Sequence, residues 1–73
     1  MSKTVMLTKM KNNIRQLRKQ AGLRQEDMAQ LLGVTRQTII AIENDKYNPS
    51  LELALKIAHL LKRPVEDIFK LES

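Results

Sequence analysis

The sequence predicts an all-α fold of five short helices, on three observations. Apolar residues recur at three- and four-residue spacings through most of the chain. Side chains that can cap a helix, among them Asn13, Thr35 and Ser50, stand just ahead of those runs. The two glycines and two prolines of the chain all fall where such a run starts or stops.

Taken in order, Ile14, Leu17 and Ala21 mark an amphipathic first helix that Gly22 ends, with Asn12 or Asn13 as its cap. A second helix runs from about Gln25 to Leu32 and stops at Gly33. Thr35 caps a third, Arg36 to about Asn44, and Asp45 to Pro49 reads as a loop. Ser50 caps a fourth helix through Leu61, and Pro64 suits the first turn of a fifth that ends near Phe69. Thr4 to Lys11 is β-branched and alternating, and Phe69-Lys70-Leu71 can be extended. The ends therefore leave room for a short antiparallel two-stranded clasp. No repeat, linker or low-complexity segment breaks the chain, so 1–73 reads as a single domain.

A chain of 73 residues buries a limited share of its surface and needs tight packing, a crosslink, a metal or a partner subunit. It has no cysteine, which removes disulfides and thiolate metal sites, and His59 is its one histidine. No cofactor or metal is expected. No apolar run is long enough to span a membrane or form a signal-peptide core. The expected address is the cytoplasm, in a bacterial, archaeal or phage-encoded setting. The acidic pairs Glu26-Asp27 and Glu66-Asp67 sit in first helical turns, where the helix dipole explains them, so nothing points to an enzyme.

Charge is unevenly distributed. Residues 1–40 carry eight basic side chains against Glu26 and Asp27, whereas residues 41–73 carry five basic against six acidic. The net +5 is therefore +6 in the first part and −1 in the second. One polyanion-facing side would produce that separation, although a solubilising surface would too.

The stretch from Gln25 to Asn44 decides between them. Met28, Leu32, Val34, Ile39 and Ile42 supply an apolar face, and Gly33 supplies a turn that needs positive φ. Ala29 is small where two steeply crossed helices must approach. Left outward on the second of these helices are Arg36, Gln37, Thr38, Ile40 and Ala41. An ordinary helical corner would carry Glu and Lys pairs there. Arg and Gln instead match guanine and adenine edges in the major groove, and Ile40 suits a thymine methyl. The unit reads as a helix-turn-helix that contacts bases.

The motifs Arg15-Gln-Leu-Arg18, Gly22-Leu-Arg-Gln-Glu-Asp-Met-Ala29, Leu32-Gly-Val-Thr-Arg-Gln-Thr-Ile39, Ile42-Glu43-Asn44 and Tyr47-Asn-Pro-Ser-Leu51 together resemble the Cro/phage-repressor-type (XRE-like) regulators. The likeness spans roughly residues 12–69, and the extra residues at both ends look most like the small stand-alone subgroup that includes the cytolysin-operon repressor. It implies a five-helix repressor-like domain with a terminal two-stranded sheet, binding double-stranded DNA as a homodimeric repressor. It further implies base contact by Arg36 and Gln37, with Thr38 on a phosphate or base and Ile40 and Ala41 against the groove. Gln25, Thr35, Asn44, Lys46 and Asn48 would hold phosphates, and Arg18 and Glu43 would form a buried ion pair.

Arg24 departs from the pattern. The family usually places Ser or Thr there as the cap of the second helix, and arginine has no acceptor to offer. A phosphate contact by Arg24 would compensate.

One reading helix covers too few base pairs for useful specificity, so two copies on a palindromic operator are expected. In the fourth helix Leu51, Ala54, Ile57, Ala58 and Leu61 suffice for a core stripe, which leaves Leu53 and Leu60 surplus. With Ile68 and Leu71 these form the expected dimer surface, while Phe69 is assigned to the core and His59 to solvent. A protein partner, as for an antitoxin, is the second reading.

Overall fold

The computed structural model describes residues 9–72. Strand β1 (Lys9–Asn12) leads into helices α1 (Ile14–Gln20), α2 (Gln25–Leu32), α3 (Arg36–Glu43), α4 (Leu51–Leu61) and α5 (Val65–Ile68), and strand β2 (Phe69–Glu72) is the last described element. The strands pair antiparallel, with Met10 opposite Leu71 and Asn12 opposite Phe69. Side chains alternate across such a ribbon. Met10 and Phe69 pack on the core, whereas Lys11 and Lys70, paired on the other face, are exposed. Of the expected Thr4 to Lys11 segment, Lys9 to Lys11 lie in β1, and Thr4 to Thr8 lie outside the described residues.

Helix ends follow local chemistry. Asn13 holds the N-cap position of α1 without a side-chain cap, and Asn12 Oδ1 instead accepts the Ile14 N–H at 3.1 Å. Gly22 (φ +75) and Gly33 (φ +73) take the left-handed conformation that stops α1 and α2. Ser50 Oγ accepts the Leu53 N–H at 3.1 Å and starts α4. That helix is stopped by Lys62 at φ 58, a left-handed residue without glycine's freedom, and the Arg63 N–H closes the turn on the Ala58 carbonyl at 3.1 Å. Pro64 stands in the N-cap position of α5, one residue before the helix proper.

Ile14, Met28, Ile39, Ile42, Ile57 and Ile68 are fully buried and form the centre of the core. Two assignments to the dimer surface are corrected here. Leu53 is buried because the inward stripe of α4 runs through Leu53-Ala54 and Ile57-Ala58. Leu51 and Leu55, four residues apart, fall on the other face, so Leu51 is 74% exposed rather than part of the core. Ile68 is 0% exposed because the single turn of α5 rotates it inward beside Phe69. Neither Leu53 nor Ile68 has surface to offer a partner.

Candidate nucleic-acid interface

α2 and α3 are joined by Gly33-Val34-Thr35, with Val34 partly buried against the core. Thr35 starts α3: its Oγ1 accepts the Thr38 N–H at 3.2 Å and lies 3.0 Å from the Thr38 hydroxyl. This fixes the first turn of α3, where Arg36 and Gln37 are both exposed. Thr38, Ile40 and Ala41 are partly buried, flanking the face that Ile39 and Ile42 turn inward. Asn44, Lys46 and Asn48 are exposed in and after the last turn, and Tyr47 stands exposed among them.

The far end of α3 is held by Glu43, whose side chain is 0% exposed. Glu43 Oε2 accepts Arg18 Nε at 2.7 Å. Its Oε1 accepts Gln25 Nε2 at 3.1 Å, and Arg18 Nη2 and Arg15 Nε at 3.4 Å each. Burial alone would push the Glu43 carboxyl up. The hydrogen bonds from Arg18 and Gln25, the Arg18 charge and the Arg15 bond outweigh it, so the group sits below its ordinary value. Arg18 also donates to the Leu23 carbonyl at 2.9 Å, tying α1 to the start of α2. One carboxylate therefore locks α1, α2 and α3 together.

Two participants were not legible in the sequence reading. Arg15 reaches past Glu43 to donate to Asn44 Oδ1 at 2.8 Å, leaving the Asn44 amide group as the donor for an anion. The available signal was its spacing from Arg18, three residues earlier on the same helix face. Asn12 donates from Nδ2 to the Ile42 carbonyl at 2.8 Å and to Asp45 Oδ1 at 3.1 Å, joining β1 to the end of α3.

Gln25 thus uses one amide N–H on Glu43, which leaves its second N–H and its backbone N–H at the start of α2. Arg24 does not leave α2 uncapped. The carboxylate of Asp27, three residues on, accepts the Arg24 backbone N–H at 2.9 Å, which is the reverse half of a capping box. The Arg24 guanidinium forks onto the same carboxylate, Nε to Oδ2 and Nη2 to Oδ1 at 3.0 Å each, and contacts Glu26 at 3.3 Å. The side-chain and then the backbone hydrogen bond from Arg24 hold the Asp27 carboxyl below its ordinary value.

A helix with one face locked and a polar first turn exposed, joined by a three-residue turn to a second helix of equal length, defines a helix-turn-helix DNA-binding domain. The chain belongs to the XRE-type helix-turn-helix family of transcriptional regulators, whose family pattern matches residues 14–68. It is 56% identical over 64 residues to an HTH-type transcriptional regulator of Methanocaldococcus jannaschii, covering 88% of this chain and 97% of that one. An HTH-type regulator of Bacillus subtilis is 49% identical over 64 residues, with the same coverage of 88% and 97%. Among solved structures, the restriction-modification controller protein of Aeromonas hydrophila matches with a TM-score of 0.67 and 35% identity, over 74% of this chain and 78% of that one. A putative DNA-binding protein of Bacteroides fragilis shares the fold at a TM-score of 0.76, with 24% identity over 84% of this chain and 98% of that one.

Among the described residues no group of His, Asp and Glu is placed to hold a metal ion, and no helix is long and apolar enough to cross a membrane.

Proposed function

We propose that the protein binds a palindromic double-stranded operator as a homodimer and represses transcription there, with α3 in the major groove. The observation that carries this reading is the exposed Arg36-Gln37 pair at the start of a helix whose opposite face and far end are locked. Arg offers a bidentate donor pair for guanine, and Gln a donor and acceptor for adenine. Arg36 and Gln37 read bases, with Thr38, Ile40 and Ala41 against the groove. Arg24, Gln25, Thr35, Asn44, Lys46 and Asn48 hold the backbone, and repression follows from occupying a promoter. Leu60 and the exposed Leu71 remain as dimer residues from the expected set. They are joined by Leu31 and Leu55, exposed on a groove between α2 and α4 that Leu60 also lines. A surface of leucines is suited to pairing identical faces across a two-fold axis.

Selection of bound sites from random DNA tests the reading. The expected result is a symmetric motif whose half-site centres lie about one helical turn apart. A motif without symmetry would remove the dimer, and no enriched motif would remove sequence reading altogether.

A further inference from the structure

Arg24 is 74% exposed on its side chain, yet its guanidinium is tied down. An exposed arginine ordinarily samples many rotamers, and an exposed ion pair adds only ~0–1 kcal/mol to stability. The dipole and the bond to the Arg24 backbone N–H account for a carboxylate at Asp27, but stability gives only a weak reason for the guanidinium fork. Two carboxylates beside one arginine also leave a net negative charge at the start of α2, where a phosphate is expected. That is unfavourable toward a polyanion unless one of them does something for binding.

The geometry assigns such a role to Asp27. Its Oδ2 accepts both the Arg24 backbone N–H and Arg24 Nε, while Oδ1 accepts Nη2. The start of α2 and the plane of the guanidinium are thereby fixed by one group. Of the five N–H donors of arginine, Asp27 takes two, and Glu26 Oε1 stands 3.3 Å from Nη1 as an ion pair only, so three are left for an outside acceptor. Arg24 lines a shallow cleft between the starts of α2 and α3 together with Gln25, Glu26, Arg18 and Arg36.

We propose that Asp27 is a positioning residue that holds Arg24 with its remaining N–H edge toward one backbone phosphate of the bound duplex. This rests on the reading that the start of α2 faces DNA. The phosphate takes the place of Glu26 on Nη1, while the Asp27 fork persists. The contact is charge-assisted and selects position along the groove, not base identity.

Two substitutions that remove one negative charge each, from neighbouring positions, provide the test. Asp27→Asn keeps an acceptor oxygen for the Arg24 backbone N–H but breaks the charged fork, whereas Glu26→Gln frees the guanidinium edge. Affinity is measured for the duplex selected above and for one random-sequence duplex, across a salt series. Urea unfolding of each variant verifies that it is folded. Asp27→Asn is expected to weaken binding about fivefold on both duplexes and to reduce the salt slope by about 1, although it removes a repulsive charge. Glu26→Gln strengthens binding about twofold. With Arg24→Ala already present, Asp27→Asn no longer weakens binding. Stronger binding from both single substitutions overturns the proposal, as does an equal loss for Asp27→Asn in the Arg24→Ala background. A wild-type chain that binds neither duplex overturns the DNA-reading function itself, which separates the two failures.

Discussion

Arg18 Nε stands 2.7 Å from Glu43 Oε2, with 8% and 0% of their side chains exposed. Removing either partner strands the other charge in the core. Glu43→Gln is expected to cost ~3 kcal/mol or more of folding free energy, read from urea denaturation. Replacing both, as Arg18→Met with Glu43→Leu, should recover much of that loss. A single substitution costing under about 1 kcal/mol would show that the pair does not hold the helices together.

Because the Glu43 carboxyl is depressed when folded, its contribution to stability is present above its unfolded pKa, about 4.3. The contribution is lost as pH falls from there through the lower folded value. Unfolding free energies of the wild type and Glu43→Gln should differ by a constant amount from pH 7 to about 5 and then draw together progressively as pH falls through the lower folded value. Convergence already between pH 7 and 5 would contradict the depressed carboxyl.

Two left-handed positions should respond in opposite directions. Lys62, at φ 58, bears a strain that glycine relieves, so Lys62→Gly is expected to stabilise the chain by about 0.5 kcal/mol. Gly33→Ala is expected to cost about 1 kcal/mol through the backbone alone, since nothing lies within 4 Å of an added Cβ. Denaturation midpoints at unchanged m-value separate these outcomes; a destabilised Lys62→Gly would mean that its side chain matters more than its φ.

Arg36→Ala and Gln37→Ala should each weaken binding to the selected duplex by ~1–3 kcal/mol and relax preference at one position. Lys46→Ala should weaken selected and random duplexes alike, and lower the salt slope by about 1. Competition binding against single-base variants distinguishes the two behaviours. Equal losses on both duplexes for Arg36→Ala would place that residue on the backbone.

The helices were legible because their signals are local. Gly22, Gly33, Thr35 and Ser50 act within one turn, and their chemistry survives in any tertiary setting. What depended on rotation about a helix axis was harder to read. Leu51 and Leu53 are both leucines in the first turn of α4, and only packing against α1 to α3 decides which one turns inward. Ile68 likewise looked surplus because a one-turn helix has no periodicity from which to read its face. The reverse half of the capping box, made by Asp27, was present in the sequence as an Arg-x-x-Asp spacing. Attention to the N-cap side chain alone hid it, since the carboxylate acts on the N-cap backbone instead.

The bonds from Asn12 to the Ile42 carbonyl and Asp45, the Thr35 cap and the Glu43 lock hold both ends of α3 before any ligand arrives. Docking into a groove then requires little coupled folding of this element. The heat-capacity change of association should accordingly track the surface area covered at the contact, without an added increment from a segment that condenses on arrival. Discrimination between base sequences would appear in dissociation rates, because a rigid probe meets right and wrong sites with similar ease and leaves the wrong ones sooner.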